Sequence, residues 1–196
     1  MDFFLTYFEL GFQHIMDWMA LDHLLFILSF TCIFTFSKLR EAILLATAFT
    51  IGHTITLALA TLKIIEANMA WVEFIIPLTI FLSAIFNFSF NPKKRSKKEF
   101  NGFKYTIIGL FGLIHGLGFS NYLQSLLGKE SSLFIPLLSF NIGLEMAQIL
   151  VIFLILLANS LLINTGKLNH KSLVLILSGI ILGIVVPMLV ERFPLP

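Results

Sequence analysis

The chain has 196 residues, of which 58% are hydrophobic and 12% charged, with 22 Phe and a net charge of +2. A water-soluble domain carries roughly 25% charged residues, so this composition excludes an ordinary soluble core and calls for a lipid-facing surface. The single cysteine, Cys32, excludes an internal disulfide and any cluster of cysteine ligands.

Residues 3–16 are apolar but carry Glu9, Gln13 and His14. As a helix this segment reaches about 21 Å, short of the roughly 30 Å hydrocarbon core. It is therefore expected to lie in the interface or to lead into the first span as a re-entrant segment. Asp2 follows Met1, and neither a basic stretch nor a small-residue cleavage site flanks the segment, so it does not read as a cleaved signal peptide. Apolar stretches long enough to cross the bilayer then follow at 18–36, 41–62, 71–90, 103–127, 133–163 and 171–190. The chain thus reads as one all-α domain over residues 1–196, a polytopic membrane bundle of about six transmembrane helices. Residues 1–17 form its short N-terminal interfacial segment. Two three-helix halves are conceivable, but no repeat is evident in the residues.

With six alternating spans, Lys38, Arg40, Lys93, Lys94, Arg95, Lys97, Lys98, Lys104, Lys167 and Lys171 share one side. Lys63, Lys129 and Arg192 fall on the other. The positive-inside rule makes the first side cytoplasmic and puts both termini outside, in an inner (plasma) membrane. Residues 91–102 are then a basic cytoplasmic loop, a topological anchor facing anionic headgroups; lipids, not nucleic acid, are its expected partners. Gly109, Gly112 and Gly116 share one helix face, and Gly179 with Gly183 makes a second small-residue pair, spacings that let helices approach closely and permit a homo-oligomer.

Ionisable groups inside spans are costly and mark functional sites by default. Here they are few. Asp22 and His23 open the first span, His53 lies in the second, and His115 in the fourth. Asn141, Glu145 and Gln148 line one face of the fifth at i, i+4 and i+7. Counted from the span ends, these groups share one layer, from mid-membrane to the outer half. Imidazoles with one or two carboxylates suit a divalent ion such as Ni²⁺, Zn²⁺, Co²⁺ or Fe²⁺. The expected ligands are His23, His53, His115, Asp22 and Glu145, with Asn141 and Gln148 orienting them and His14 and Asp17 on the way in. Asp17 also suits a helix cap.

Five segments carry a resemblance: Gly11-Phe-Gln-His14, Ala20-Leu-Asp-His-Leu-Leu-Phe26, Phe49-Thr-Ile-Gly-His-Thr-Ile-Thr-Leu57, Phe111-Gly-Leu-Ile-His-Gly-Leu-Gly-Phe119 and Phe140-Asn-Ile-Gly-Leu-Glu145. At these residues the chain resembles the HupE/UreJ family of small membrane proteins, in a divergent form. The resemblance implies transport of nickel or a related divalent metal, with the family's His and Asp-His signature on His14, Asp22 and His23. Relative to the better-known signature, Ile15 and Ala20 replace a Pro and a Gly, and the spacing from His14 to Asp22 is longer. On a continuous helix two added residues turn His14 by about 200°. Either the segment is broken there or His14 lies outside the site.

Two functions compete on these residues. In a divalent-metal permease, the ion enters past His14 and Asp17 to the buried ligands. In an intramembrane zinc hydrolase, three imidazoles hold Zn²⁺ and activate a water for a lipid or lipoprotein substrate. Asp22 or Glu145 is then the general base.

Overall fold

The computed structural model describes residues 3–18, 21–92, 102–127, 133–166 and 168–194. Its regular elements are helices α1 (Phe3–Met16), α2 (Asp22–Thr31), α3 (Leu39–Thr61), α4 (Met69–Phe86), α5 (Gly102–Leu127), α6 (Phe134–Asn164) and α7 (His170–Glu191), with short 3₁₀ turns at Phe36–Lys38 and Asn87–Ser89. Five of them, α3 to α7, are long and apolar enough to cross a membrane. The chain is an all-helical integral membrane protein. The expected basic loop falls largely on residues 93–101, outside the described ones.

The helix ends follow local chemistry. Asn68 and Asn169 cap α4 and α7, accepting hydrogen bonds from the amides of Ala70 and Ser172. α3 stops because Lys63 adopts a φ of 57°, so that Lys63 N–H bonds Ala60 and Ile64 N–H bonds Leu59. This is a Schellman ending, with lysine where glycine is usual.

The first expected span, 18–36, contains only the ten-residue α2. The segment before it is α1, fourteen residues over the boundaries expected. α1 does not merely lie on a surface: it buries Tyr7, Gly11 and Ile15 and packs lengthwise on α6. The Ser139 hydroxyl donates to the Phe4 carbonyl (2.9 Å), and Gly143 abuts Phe8. Residue numbers rise together, so the two helices run in the same direction. α2 opposes α7, since Asp22 meets Arg192 while Asn87 bridges Ser29 and Ser178; α4 also opposes α7, since Phe74 meets Phe193, and so runs with α2. α4 starts where α3 and α5 end, Met69 sharing a cleft with Ala60 and Gln124, and so opposes both. α6 opposes α3 (Thr54 with Asn141, Thr47 with Glu145), and α3 runs with α5 (Ala48 with Gly109, Ala60 with Gln124). α1 and α2 are therefore two pieces running the same way with a break between Met16 and Asp22.

These contacts uncover an internal symmetry. A Cβ at Gly11 would strike the Phe140 carbonyl, and one at Gly143 the Phe8 carbonyl; in the other pair a Cβ at Gly112 would strike Phe49 and one at Gly52 the Gly109 carbonyl. The pairs α1·α6 and α5·α3 are thus built alike, and the sequence carries the echo: Gly11-x-x-His14 with Gly112-x-x-His115, and Phe140-x-Ile-Gly143 with Phe49-x-Ile-Gly52. Because α1 runs against α5, and α6 against α3, the two units are inverted. The motifs are too short to read as a repeat until the contacts align them.

A Cβ at Gly179 or Gly183, by contrast, would meet no neighbouring atom within 4 Å among the described residues. Gly112→Leu and Gly143→Leu should each destabilise the bundle by roughly 1–3 kcal/mol or more, read as a lower unfolding midpoint in detergent. Gly179→Leu should leave it unchanged. Equal midpoints for all three variants would contradict this packing.

Candidate metal centre

The break between α1 and α2 places two histidines face to face. His14 sits near the end of α1 and His23 near the start of α2, with ring centroids 4.3 Å apart. The sequence left two outcomes for His14, and the structure has the broken segment. His53, next to Gly52 where α3 is pressed against α5, lies 6.1 Å from His14 and 6.4 Å from His23, centroid to centroid. His115, beside Gly116 on α5, is 5.5 Å from His23. One ring nitrogen from each of His14, His23 and His53 falls within 4.8 Å of the others. Imidazole nitrogens bind such ions at about 2.0–2.1 Å, so rotamer-scale shifts bring the three onto one ion.

The donors are poised for a ligand. His23, His53 and His115 are buried at 8%, 0% and 1% exposure. Among the described residues, no hydrogen-bond partner meets Nε2 of His14, either ring nitrogen of His23 or His53, or Nε2 of His115. Unpaired buried polar atoms are rare and call for an explanation; an ion on their lone pairs supplies one. His115 is already oriented: its Nδ1 is 2.8 Å from the Phe111 carbonyl. Donation of the Nδ1 proton there leaves the Nε2 lone pair for a metal. Aromatic rings wall the cluster. Phe119 lies 4.1 Å from His14, Phe49 5.0 Å and Phe26 5.2 Å from His115, and Phe140 stacks on His53 at 6.3 Å. They pack around the imidazoles and hold them in place.

The carboxylates are arranged otherwise than the sequence led one to expect. Asp22 adjoins His23, but its Oδ2 accepts from Arg192 (2.9 Å); its Oδ1 is buried without a partner among the described residues. Glu145 stands apart from the cluster, bonded to the Thr47 (2.6 Å) and Thr50 hydroxyls of α3. Gln148 accepts from Thr50 (2.9 Å) and Asn141 from Thr54 (2.6 Å), so both serve the α3–α6 seam and not the imidazoles. The N-cap position of α2 is Leu21; Asp17 lines an open cleft of about 740 Å³ together with Gln13, His14, Trp18, Phe119 and Tyr122. His170 packs against Phe90 at the start of α7, on another part of the bundle. Sequence reasoning missed the aromatic walls and the full part played by His14. The signal was there: Phe49 precedes His53, and Phe119 follows His115, by one helical turn.

Replacing His23 by Ala should weaken Ni²⁺ or Co²⁺ binding by roughly tenfold or more and shift the visible spectrum of bound Co²⁺. His170→Ala should leave both untouched. An unchanged cobalt spectrum in His23→Ala would remove that histidine from the site.

The HupE / UreJ protein family matches residues 1–192, and the chain belongs to it. No curated protein and no solved structure matches the chain.

Proposed function

We propose, from this membership and from the geometry, that the chain is a divalent-metal permease whose cargo passes through His14, His23, His53 and His115. Family membership supports metal transport as a class. The observation that carries the finer reading is the gathering of unpartnered imidazoles at a helix break, one of them, His14, lining an open cleft. Discontinuous helices and inverted repeats recur in secondary transporters, with the cargo bound where the pieces meet. Here the repeat gives His14 and His115 equivalent positions, while Leu144 stands where the other unit has His53.

The donor set suits passage. Neutral imidazoles prefer nickel, cobalt, zinc or iron over the hard cations, so nickel or a similar ion is the cargo. They bind without cancelling its charge, and the nearby Asp22 is already paired with Arg192. Such an ion is held by ligation more than by charge, which favours release. From the cluster, α2 runs to a buried polar knot where the Asn87 amide donates to the Ser29 carbonyl (2.7 Å) and Ser178 (3.1 Å). These groups stand at the far end of α2 from the cleft and supply the first polar step beyond it.

A second reading, an intramembrane zinc hydrolase, uses the same imidazoles to hold Zn²⁺ and is favoured by the unpartnered Oδ1 of Asp22 as a base. The readings part on whether the ion stays. In liposomes enclosing a nickel-sensitive dye, the purified protein should raise Ni²⁺ entry well above protein-free vesicles. The His53→Ala/His115→Ala variant should return entry to background. Absence of flux, with about one Zn²⁺ per chain surviving a chelator wash, would replace the permease with the hydrolase.

A further inference from the structure

Arg192 ends α7, a helix that contributes no imidazole to the cluster. Its N–H bonds the Met188 carbonyl (3.0 Å), and the next residue, Phe193, packs edge-on against Phe74 of α4 with centroids 5.3 Å apart. The backbone there is held on two sides, and the side chain turns onto α2, where Nη1 donates to Asp22 Oδ2 at 2.9 Å. The two side chains are 31% and 13% exposed, so water and salt screen the pair less than they would on an open surface.

Asp22 adjoins His23 in the chain, and its charge reaches the His115 ring. Unpaired, such a carboxylate would do two things to an arriving ion. It would attract any cation by charge, whatever its chemistry. It would also offer anionic oxygen, the donor that Mg²⁺, Ca²⁺ and Mn²⁺ prefer. Imidazole nitrogen ranks ions in the other sense, with affinity rising from Mn²⁺ through Fe²⁺ and Co²⁺ to Ni²⁺. A bare Asp22 would therefore blunt the discrimination that the imidazoles provide. Glu145, the other carboxylate among the expected ligands, is taken up by Thr47 and Thr50. Arg192 takes up the one that remains.

We propose that Arg192 determines the metal selectivity of the histidine site: by neutralising Asp22 it leaves imidazole nitrogen as the deciding donor, and so disfavours Mg²⁺, Ca²⁺ and Mn²⁺ against Ni²⁺ and Co²⁺. Arg192 touches no ion itself; it acts through Asp22, as a positioning residue. The inference deepens the permease reading and rests on it for the arrival of an ion at the histidines. A guanidinium suits the task because it stays charged at any working pH. A water or a hydroxyl in its place would leave the carboxylate its charge.

Equilibrium binding to the full-length protein in detergent tests this, with Ni²⁺ and Mn²⁺ titrated separately and in competition. Arg192→Gln should lower the ratio of Ni²⁺ to Mn²⁺ affinity by about tenfold or more, the scale on which groups behind a metal ligand act. Most of that change should come from stronger Mn²⁺ binding. Arg192→Lys, which keeps the charge, should hold the ratio close to that of the wild type. The double variant Asp22→Asn/Arg192→Gln should restore it, since no carboxylate is left to unmask. A residue that merely held α7 in place would not be rescued by a change on α2. Arg192→Met, which keeps the apolar stem of the side chain, replaces Arg192→Gln if that variant does not fold. An unchanged ratio in Arg192→Gln, or a lowered ratio that persists in the double variant, would overturn the role of Arg192. Absence of Ni²⁺ binding in the wild type would overturn the metal reading and this proposal with it. A ratio shifted as expected, with no Ni²⁺ flux in liposomes, would support Arg192 and sink the permease.

Discussion

Within a bilayer, two helices gain little from hiding apolar surface from each other, because lipid is equally apolar. Their association depends on close contact. In this protein that contact is backbone to backbone, made where Gly11 and Gly143 join α1 to α6 and where Gly52, Gly112 and Gly116 join α3 to α5. The rest of the site depends on it. His53 and His115 each adjoin a glycine of the α3·α5 contact, so the depth at which those helices touch is the depth at which the imidazoles are held. His14 follows Gly11 by three residues and takes its position from the α1·α6 contact in the same way. A side chain in place of any of these glycines would part the helices and move the nitrogens.

The two polar groups on this frame have opposite characters. Around the histidines there is an aromatic enclosure, nitrogen donors without partners, and one carboxylate neighbour already neutralised by Arg192. Around Glu145 there are hydroxyls and amides whose bonds close on themselves. α3 carries a member of each, Thr50 and His53, one helical turn apart.

Much of this was legible in the residues. Runs of apolar sequence give α3 to α7 to within a few residues, because a membrane span is specified by length and hydropathy alone. The three buried histidines stand out because an imidazole in such a run is rare. Other features were not legible. The stretch 18–36 is apolar enough to span, yet only ten residues are helical as α2, a break with no proline or glycine to announce it. The distinction between Glu145 and the histidines lies in the facing partner: Thr47 and Thr50, a turn or more before His53 on α3, take up the carboxylate, and counting positions along a span does not reveal which partner a side chain meets. The repeat was hidden because its identities, a Gly-x-x-His and a Phe-x-Ile-Gly, are short and occur in different chain order in the two halves.

The central claim is that the imidazoles gathered at the α1–α2 break bind the metal. X-ray absorption at the nickel edge, on protein loaded with one equivalent of Ni²⁺, reports the ligands directly. The account predicts a shell containing several imidazole nitrogens, reduced in His14→Ala and unaltered in Glu145→Gln. A shell of oxygen alone, or one that loses a ligand in Glu145→Gln and none in His14→Ala, would contradict it.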